Sequence, residues 1–475
     1  MTEIEHDIDP ETGPGGTPAP EDETGQDDQG YTLDRRKVSA ILYAVDAEDR
    51  EELIAQMEPL HAADIADLLE QINAYDRRRL VLLYDLEFDG EILSELNESI
   101  REEVISLLTP GVLQDAVREL DSDDVVDLVE YLEEEQQEAV LDALEDSDRV
   151  AVEQALSYPE ESAGRLMQRE VVAVPEFWTV GQAIDMMRER EDLPEQFYHV
   201  ILIDPKMRPV AHVTLGKLMA SPRRTALSEI TEPGFRTIPA QQDEGDVAYA
   251  FNQYHIISAP VVDEDERLVG VITIDDAMIV LDEEHEEDIM RLAGVGEGNL
   301  NDRVSETLKQ RLPWLAVNLL TAVLASLVIS VFDETIAQFV ALAVLMPIVA
   351  SMGGNAGTQS LTVAVRAIAT KDLTGSNVWR VIRRELAVGL LNGLAFALTM
   401  ALLAILWFGN LQIALVLAVA MVINLAVAGL AGIGVPVLLD KLKVDPALAS
   451  GTFVTTVTDV VGFFAFLGLA GLVLL

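Results

Sequence analysis

The sequence has no cysteine, which excludes disulfides, thiolate metal sites and cysteine nucleophiles. Basic residues are scarce, because 32 Lys and Arg stand against 82 Asp and Glu, and only seven of the 32 are lysine. Since binding to nucleic acid needs a basic surface, we expect no nucleic-acid partner. The Walker A pattern that binds phosphate is also missing. We therefore expect no ATP hydrolysis, and a protein that is not an enzyme.

The acidic excess is confined to one part of the chain. Residues 312–475 contain seven basic and seven acidic residues, so the whole net charge of −50 belongs to residues 1–311. A divalent cation is a natural partner of such an acidic region. Adaptation of the surface to a very salty cytoplasm is the alternative explanation for most of these acids.

Composition and periodicity divide residues 1–282 into distinct regions. Residues 1–30 are rich in acid, Gly and Pro, and predict a disordered tail with no signal peptide. Residues 31–160 predict an all-α domain of helical repeats, since LHAADIADLLEQI (60–72) aligns with LDSDDVVDLVEYL (120–132). Residues 161–282 alternate short β-branched runs with helices, which predicts a tandem α/β module.

The rest of the chain predicts a connector and a membrane domain. Residues 283–311 form a charged connector whose first half is predicted to be helical, and residues 312–475 hold five apolar segments long enough to span a bilayer. All seven basic residues of the apolar region lie between spans two and three or between spans four and five. The positive-inside rule makes that side cytoplasmic. We therefore predict a multi-pass plasma-membrane protein with its N-terminal domains inside and its C-terminus outside.

One carboxylate stands in the last apolar segment, TFVTTVTDVVGFFAFLGLAGLVLL (452–475). A charged group at membrane depth costs at least ~2.5–3.5 kcal/mol on insertion scales, so it needs polar surroundings. Helical spacing puts Asp459 on one face with Thr452, Thr455 and Gly462, which predicts an ion path. The alternative is an aspartate that neighbouring hydroxyls satisfy for helix packing.

A second polar segment, LMPIVASMGGNAGTQSLTVAVRAIA (345–369), lies in the second span. Pro347 and the Gly353-Gly354 pair predict a kinked or interrupted span, whose freed carbonyls could bind ions. A loop that reaches only the membrane interface is the alternative. The candidate path residues in this segment are Gly354, Asn355 and Gln359.

These oxygen donors suit a hard cation. Mg²⁺ keeps several waters and is typically held by one or two carboxylates, so one Asp459 from each chain of a two-fold dimer would match it. Monovalent cations stay possible from these residues alone.

Long motifs in the membrane region carry a family resemblance. They are RLPWLAVNLL, MPIVASMGGNAGTQSLTVAVRAIATKDL and DPALASGTFVTTVTDVV. These stretches resemble the membrane signatures of the MgtE family of magnesium channels and transporters. YPEESAGRLMQREVVAVPEFWTVGQAI (158–184) resembles its junction with paired cystathionine-β-synthase (CBS) domains. The resemblance covers nearly all of residues 31–475. It implies a multidomain homodimer with an all-α superhelical cytosolic domain, an α/β tandem CBS pair, a plug helix in the connector and a polytopic α-helical membrane domain of five spans. It also implies that Asp459 binds hydrated Mg²⁺ on the dimer axis.

The resemblance further implies regulatory Mg²⁺ sites on acids between the cytosolic domains and the membrane. Ile279 and His255 stand where family acids are expected, which would reduce the number of ions held. The matching acids are Glu284, Glu287, Asp288, Asp276, Asp445, Asp243, Asp123 and Asp127.

CBS pairs can bind adenosine nucleotides through a T-x-x-D pattern, which Thr273 and Asp276 fit. The first half of the pair has Lys217 where the acid should be, and family members that bind ATP use that first site. The resemblance therefore leaves ATP binding open.

We predict a Mg²⁺-selective channel or transporter for uptake down the electrochemical gradient, gated by cytosolic Mg²⁺. A membrane-anchored CBS sensor of nucleotides or ions is one alternative. Transport of another cation, such as Co²⁺ or Na⁺, is the other.

Overall fold

The computed structural model describes residues 33–118, 120–130, 132, 134–190, 193–194, 196–295 and 304–475. The predicted disordered tail, residues 1–30, lies outside the described residues. The chain forms two compact units, of which the first ends at Leu96 and the second begins at Asn97.

The first unit consists of short helices around an apolar core. Asp49 and Asn73 each cap a helix by accepting hydrogen bonds from its first backbone N–H groups, which fixes where the helix starts. The fully buried side chains of this unit include Ile41, Leu53 and Leu80. Its helices are α1 (Arg35–Ala47), α2 (Arg50–Met57), α3 (Ala62–Gln71), α4 (Ala74–Tyr84) and α5 (Glu91–Ser94), with a 3₁₀ turn at Asp85–Glu87.

The second unit opens with further short helices that continue the repeat. The aligned sequence segments form α3 and α8, and the repeated apolar positions are buried in both. These helices are α6 (Glu98–Leu107), α7 (Pro110–Arg118), α8 (Ser122–Glu130), α9 (Glu134–Ala143), α10 (Asp146–Ala155) and α11 (Ala163–Leu166).

Two small sheets of the same topology follow, which confirms the predicted tandem α/β module. In each sheet a short strand pairs in parallel with a middle strand, and the middle strand forms an antiparallel hairpin with the third. The strands are β1 (Ala173–Pro175), β2 (His199–Ile203), β3 (Pro209–Thr214), β4 (Ile238–Pro239), β5 (Ser258–Val262) and β6 (Leu268–Thr273). The helices are α12 (Val180–Glu189), α13 (Leu215–Ala220), α14 (Glu244–Tyr254) and α15 (Ile274–Leu292).

Helix α15 leaves the second sheet directly and carries the predicted plug acids. It runs from Ile274 to Leu292 without interruption, so the predicted boundary at 282/283 falls inside it. The predicted boundary at 311/312 falls inside the next helix, which begins at Val304. The division of the chain into five regions stays a prediction. Helix α15 connects the second sheet to the predicted plug without a break.

The remaining helices contain five that are long and apolar enough to cross a membrane. Helix α20 is the central one, because α18, α19 and α21 all pack against it. These helices are α16 (Val304–Ser330), α17 (Asp333–Gln338), α18 (Ala341–Ala369), α19 (Val378–Phe408), α20 (Leu411–Lys441) and α21 (Pro446–Leu474).

The predicted interruption of the second span is wrong, because α18 passes through Pro347 and Gly353-Gly354 as one helix. The glycines serve close packing here. A Cβ on Gly353 would collide with the amide of Asn424 on α20, and one on Gly462 of α21 would lie 2.8 Å from the same amide nitrogen. Asn424 is fully buried and donates a hydrogen bond of 2.8 Å to the carbonyl of Val349. The amide thus joins three spans where the sequence predicted a break.

Candidate ion path and regulatory junctions

Asp459 lies in the middle of α21 and is half-buried. Among the residues that the structure describes, no donor or cation reaches its carboxylate by hydrogen bond or ion pair. The threonines of the same face bond elsewhere: Thr452 donates to Oδ1 of Asn318 on α16 at 2.9 Å, and Thr455 donates to the carbonyl of Gly451 at 3.0 Å. Within one chain, then, neighbouring hydroxyls do not satisfy the carboxylate.

Helix α18 presents a polar stripe that one chain leaves uncovered. Its members share one helical face, with spacings of three to four residues, and their side chains are exposed. Asn355 donates to Oγ of Ser351 at 3.3 Å, and Thr358 donates to the carbonyl of Gly354 at 3.0 Å. A polar face at membrane depth requires water or another protein surface. The stripe comprises Ser351, Asn355, Thr358, Gln359 and Thr362.

The polar segments of α18 and α21 lie side by side, because these two helices pack directly. A Cβ placed on Gly354 would be 4.0 Å from the methyl group of Thr455. The structure therefore brings the two predicted path segments together. The carbonyl of Gly354 sits inside a continuous helix and accepts from Thr358, so it is not the freed ligand that the sequence predicted.

The first of three acidic junctions joins α8 to the start of α15. Asp123 is 9% exposed, and its pKa is raised well above the ordinary value by burial and by the charge of Asp276. Burial raises the pKa of Asp276 to about 6, although its carboxylate accepts a hydrogen bond of 2.6 Å from the hydroxyl of Thr273. Asp127 does not join them, because it pairs with Arg101 at 2.8 Å. The two acids predicted to act as a pair therefore have different neighbours: Asp123 lies near Asp276, and Asp127 forms an ion pair with Arg101.

The second junction brings α14 and α15 together at Asp243 and Glu284. A Cβ on Gly245 would be 2.5 Å from Oε1 of Glu284 and 3.3 Å from Oδ1 of Asp243, so both carboxylates crowd this glycine. Burial, and then Asp243, raise the pKa of Glu284. Nearby, burial and Glu161 raise the pKa of Glu244 to about 7. Excess negative charge is concentrated here.

The third junction joins the end of α15 to the start of α21. Asp445 caps α21 by accepting a hydrogen bond of 2.7 Å from the N–H of Ala447. Burial, and then Asp445, raise the pKa of Asp288. Arg291 lies among these acids, 3.0 Å from Asp445 and 2.8 Å from Glu287. An arginine of the chain therefore supplies the cation at this junction.

A second basic residue that sequence reasoning missed ties the membrane domain to the CBS module. Lys371, in the connection between α18 and α19, pairs with Asp246 of α14. Its ammonium also lies 4.4 Å from the centre of the Tyr249 ring, within the range of a cation–π contact. The sequence had marked Lys371 only as a cytoplasmic loop charge, and no local pattern names its partner.

Of the two candidate nucleotide residues, Thr273 lines a narrow cleft. Thr273 and Asp276 bond to each other as the capping box of α15. The cleft beside Thr273 also touches His199 and Ser258, and it encloses about 20 Å³, roughly the space of one water molecule. In the first half of the pair, Lys217 already binds the carbonyl of Thr231 at 3.2 Å. A nucleotide would have to widen the cleft.

The junctions hold acids mainly in pairs. Within the described part of the chain, no cluster of three or more His, Asp or Glu side chains is placed to hold a metal ion. Two carboxylates with retained waters are nevertheless a usual arrangement for Mg²⁺. The chemistry of each pair therefore suits a hydrated ion better than a fully dehydrated one.

Comparisons with known families match most of the chain. The divalent cation transporter model, MgtE, matches residues 346–469. The MgtE intracellular N domain matches residues 60–161, and CBS domains match residues 163–222 and 227–283. The first of these matches contains the polar stripe of α18 and Asp459 of α21.

Several known proteins are similar over two thirds of the chain. The magnesium transporter MgtE of Enterococcus faecalis is 33% identical over 320 residues, which are 67% of this chain and 71% of that protein. The protein of the same name from Thermus thermophilus is 34% identical over 325 residues, or 68% and 72%. A crystal structure of the cytosolic domain of the Mg²⁺ channel MgtE in complex with ATP is 28% identical and covers 51% of this chain and 100% of its own, with a TM-score of 0.48. By these matches, the chain belongs to the MgtE family of magnesium transporters.

Proposed function

We propose that the protein is a homodimeric channel or transporter that carries Mg²⁺ into the cell. The observation that carries this proposal is the Asp459 carboxylate, which lies at membrane depth without a partner in the described part of its own chain. A second copy would supply a second carboxylate across a two-fold axis. Two carboxylates and the exposed polar stripe of α18 together suit a cation that keeps its waters. Residues Thr452, Thr455, Asn355 and Gln359 would line the path.

The membrane potential is a sufficient energy source for uptake. At 100 mV it contributes ~2.3 kcal/mol per charge, or ~4.6 kcal/mol for a divalent ion, which corresponds to more than a thousandfold accumulation. The seven basic residues of the membrane region support a cytoplasmic position for the acidic domains. Entry toward those domains would expose them to the transported ion.

We further propose that cytosolic Mg²⁺ closes the path by binding at the three junctions. Each junction brings like charges together across elements that meet at α15, and repulsion between them opposes the compact arrangement. A bound divalent ion would offset that repulsion. Because α15 continues from the second sheet to the foot of α21, movement of the cytosolic domains would be transmitted to the helix that carries Asp459.

Flux into liposomes tests the path. We expect Asp459→Ala to lose Mg²⁺ flux while the dimer persists by size-exclusion chromatography, and Asp459→Asn to weaken the preference for Mg²⁺ over Co²⁺, Ca²⁺ and Na⁺. Asp440→Ala is the matched control, because Asp440 is exposed at the end of α20. Asp459→Ala flux within twofold of the unaltered protein would refute the assignment.

Gating is tested by the same flux with Mg²⁺ varied on the cytosolic side. We expect the unaltered protein to slow as Mg²⁺ rises through the millimolar range, even in molar KCl, because direct coordination survives a Debye length of ~3 Å. Combined replacement of Glu284, Glu287 and Asp288 by Ala should remove the response. The exposed acids Asp146 and Asp148, replaced together, should leave it intact. Flux of the unaltered protein that ignores cytosolic Mg²⁺ would make the acids salt adaptation alone.

A further inference from the structure

The first compact unit contains a cavity of about 280 Å³ that has no part in the ion path. It lies between the end of α2, the start of α3, the end of α4 and α5. Its floor is apolar and includes Ile54 and Leu60, which are partly exposed, and Met57 and Ile92, which are fully buried. Its size approaches the ~300 Å³ at which small-ligand pockets begin.

A tyrosine hydroxyl faces this cavity without a partner. Tyr84 lines the cavity and is only 7% exposed, yet its hydroxyl has no hydrogen-bond partner among the residues that the structure describes. The hydroxyl is not cut off from solvent, and a phenol can both donate and accept a hydrogen bond. The cavity therefore offers a polar group without a protein partner in the described residues, which a bound molecule could engage.

Three carboxylates line the same cavity as this hydroxyl. They are Glu58, Glu87 and Asp89, and after burial they are the causes that raise the pKa of Tyr84. In the described part of the chain, none of the three forms an ion pair with a basic side chain. Asp89 accepts one backbone hydrogen bond, from the N–H of Glu91 at 3.1 Å. Among the described residues, then, no ion pair offsets the negative charge of these carboxylates.

The carboxylates and the apolar floor of the cavity together limit the kind of molecule that can bind there. Hydrated Mg²⁺ would use the carboxylates, but its water shell gains nothing from an apolar floor. A neutral apolar molecule would use the floor and leave the carboxylates unbalanced. We propose that this cavity binds a small organic cation, an ammonium group on a short unbranched aliphatic stem, with the ammonium between the Tyr84 hydroxyl and the carboxylates and the stem on the apolar floor.

Calorimetry on the full-length protein in detergent, at fixed ionic strength, tests this site with three probes. We expect binding of 1-aminobutane, little binding of 1-butanol, which has the same stem without charge, and no displacement of the amine from this site by equimolar MgCl₂. Equal binding of the alcohol, or displacement by MgCl₂, would overturn the proposal.

Substitutions locate the binding. Tyr84→Phe keeps the ring but removes the hydroxyl, and we expect the affinity for 1-aminobutane to fall about tenfold, as for loss of one hydrogen bond to a charged group. Tyr75→Phe is the matched control, because Tyr75 lies on the same helix but is 70% exposed and outside the cavity. Combined Glu58→Gln and Glu87→Gln, at exposed positions that do not threaten folding, should weaken binding of the amine at least as much. Unchanged affinity in both variants would refute the site, whatever becomes of Mg²⁺ flux.

Discussion

Replacing Arg291 by methionine should loosen the junction between the plug helix and the last span when no divalent ion is present. Arg291 is the cation that bridges Glu287 on α15 and Asp445 at the cap of α21. Methionine keeps an apolar stem of similar reach and removes the charge. Asp288 lies in the same group, so the variant leaves three carboxylates facing one another without a basic residue between them.

The magnitude follows from how far the ion pairs are buried. The side chains of Arg291, Asp445 and Glu287 are 31%, 31% and 29% exposed. Exposed pairs contribute ~0–1 kcal/mol, whereas removal of one partner from a fully buried pair costs ~3–5 kcal/mol. A loss of about 1–2 kcal/mol lies between these limits. It would shift the ratio of compact to open junctions by a factor of about 5–30.

Limited proteolysis of the 283–311 connector measures this shift directly. In EDTA we expect the Arg291→Met protein to be cut about 5–30 times faster than the unaltered protein, by the ratio just given. At saturating Mg²⁺ the difference should shrink, because the ion takes over the role of the missing charge. Arg267→Met is the matched control, since Arg267 and its partner Asp265 are 59% and 71% exposed. Equal cutting rates in EDTA would refute the reasoning.

Three further predictions use other parts of the molecule. Burial raises the pKa of Asp276 from an ordinary 3.8 to about 6, so the folded protein binds this proton more tightly than the unfolded chain does. The free energy of unfolding in metal-free buffer should therefore fall as pH rises from about 4 to 6. Thermal unfolding measures this profile, and Asp276→Asn should flatten it. Gly462→Ala should destabilise by about 1–3 kcal/mol, because its Cβ would lie 2.8 Å from the Asn424 amide, while Gly434→Ala, with nothing within 4 Å, should not destabilise in the same melts. Calorimetry should find ATP binding weak and lost in Asp276→Ala but not in Lys217→Ala; the reverse pattern would contradict it.

The membrane spans and Asp459 were predictable because their signals are local. A single acid among two dozen apolar and hydroxyl residues needs no knowledge of the fold to be noticed. The matching periodicity of α3 and α8, and the hairpin before α15, are likewise properties of short stretches.

The sequence-based predictions failed where a residue far away in the sequence determines the packing or the ion pairing. The Gly353-Gly354 pair predicts a helix break by its own propensity, but in the fold Gly353 packs against Asn424 of another span. Asp127 is four residues from Asp123, yet it forms an ion pair with Arg101 on a different helix. Spacing along a helix indicates which side chains share a face, but it does not name their partners.

The two basic bridges were missed for a related reason. Arg291 and Lys371 find Asp445 and Asp246 only after the chain has folded, and the two partners of each pair are separated by more than a hundred residues. In a chain with so many acidic residues, distance along the sequence does not predict which of them will form an ion pair with a given Arg or Lys.

The lengths of the spans have a consequence for the lipid around the protein. Helices α19 and α20 contain 31 residues each, so at 1.5 Å per residue each is about 46 Å long. The hydrocarbon layer of a bilayer is only about 30 Å thick. Each helix is therefore about 16 Å longer than the hydrocarbon layer, so it must tilt or extend into the headgroup region. Arg380, Arg383 and Arg384 lie near the start of α19, where it would extend among the headgroups. Bilayer thickness thus acts on these helices as a mechanical load, and lipids of different chain length should set different tilts for α19 and α20.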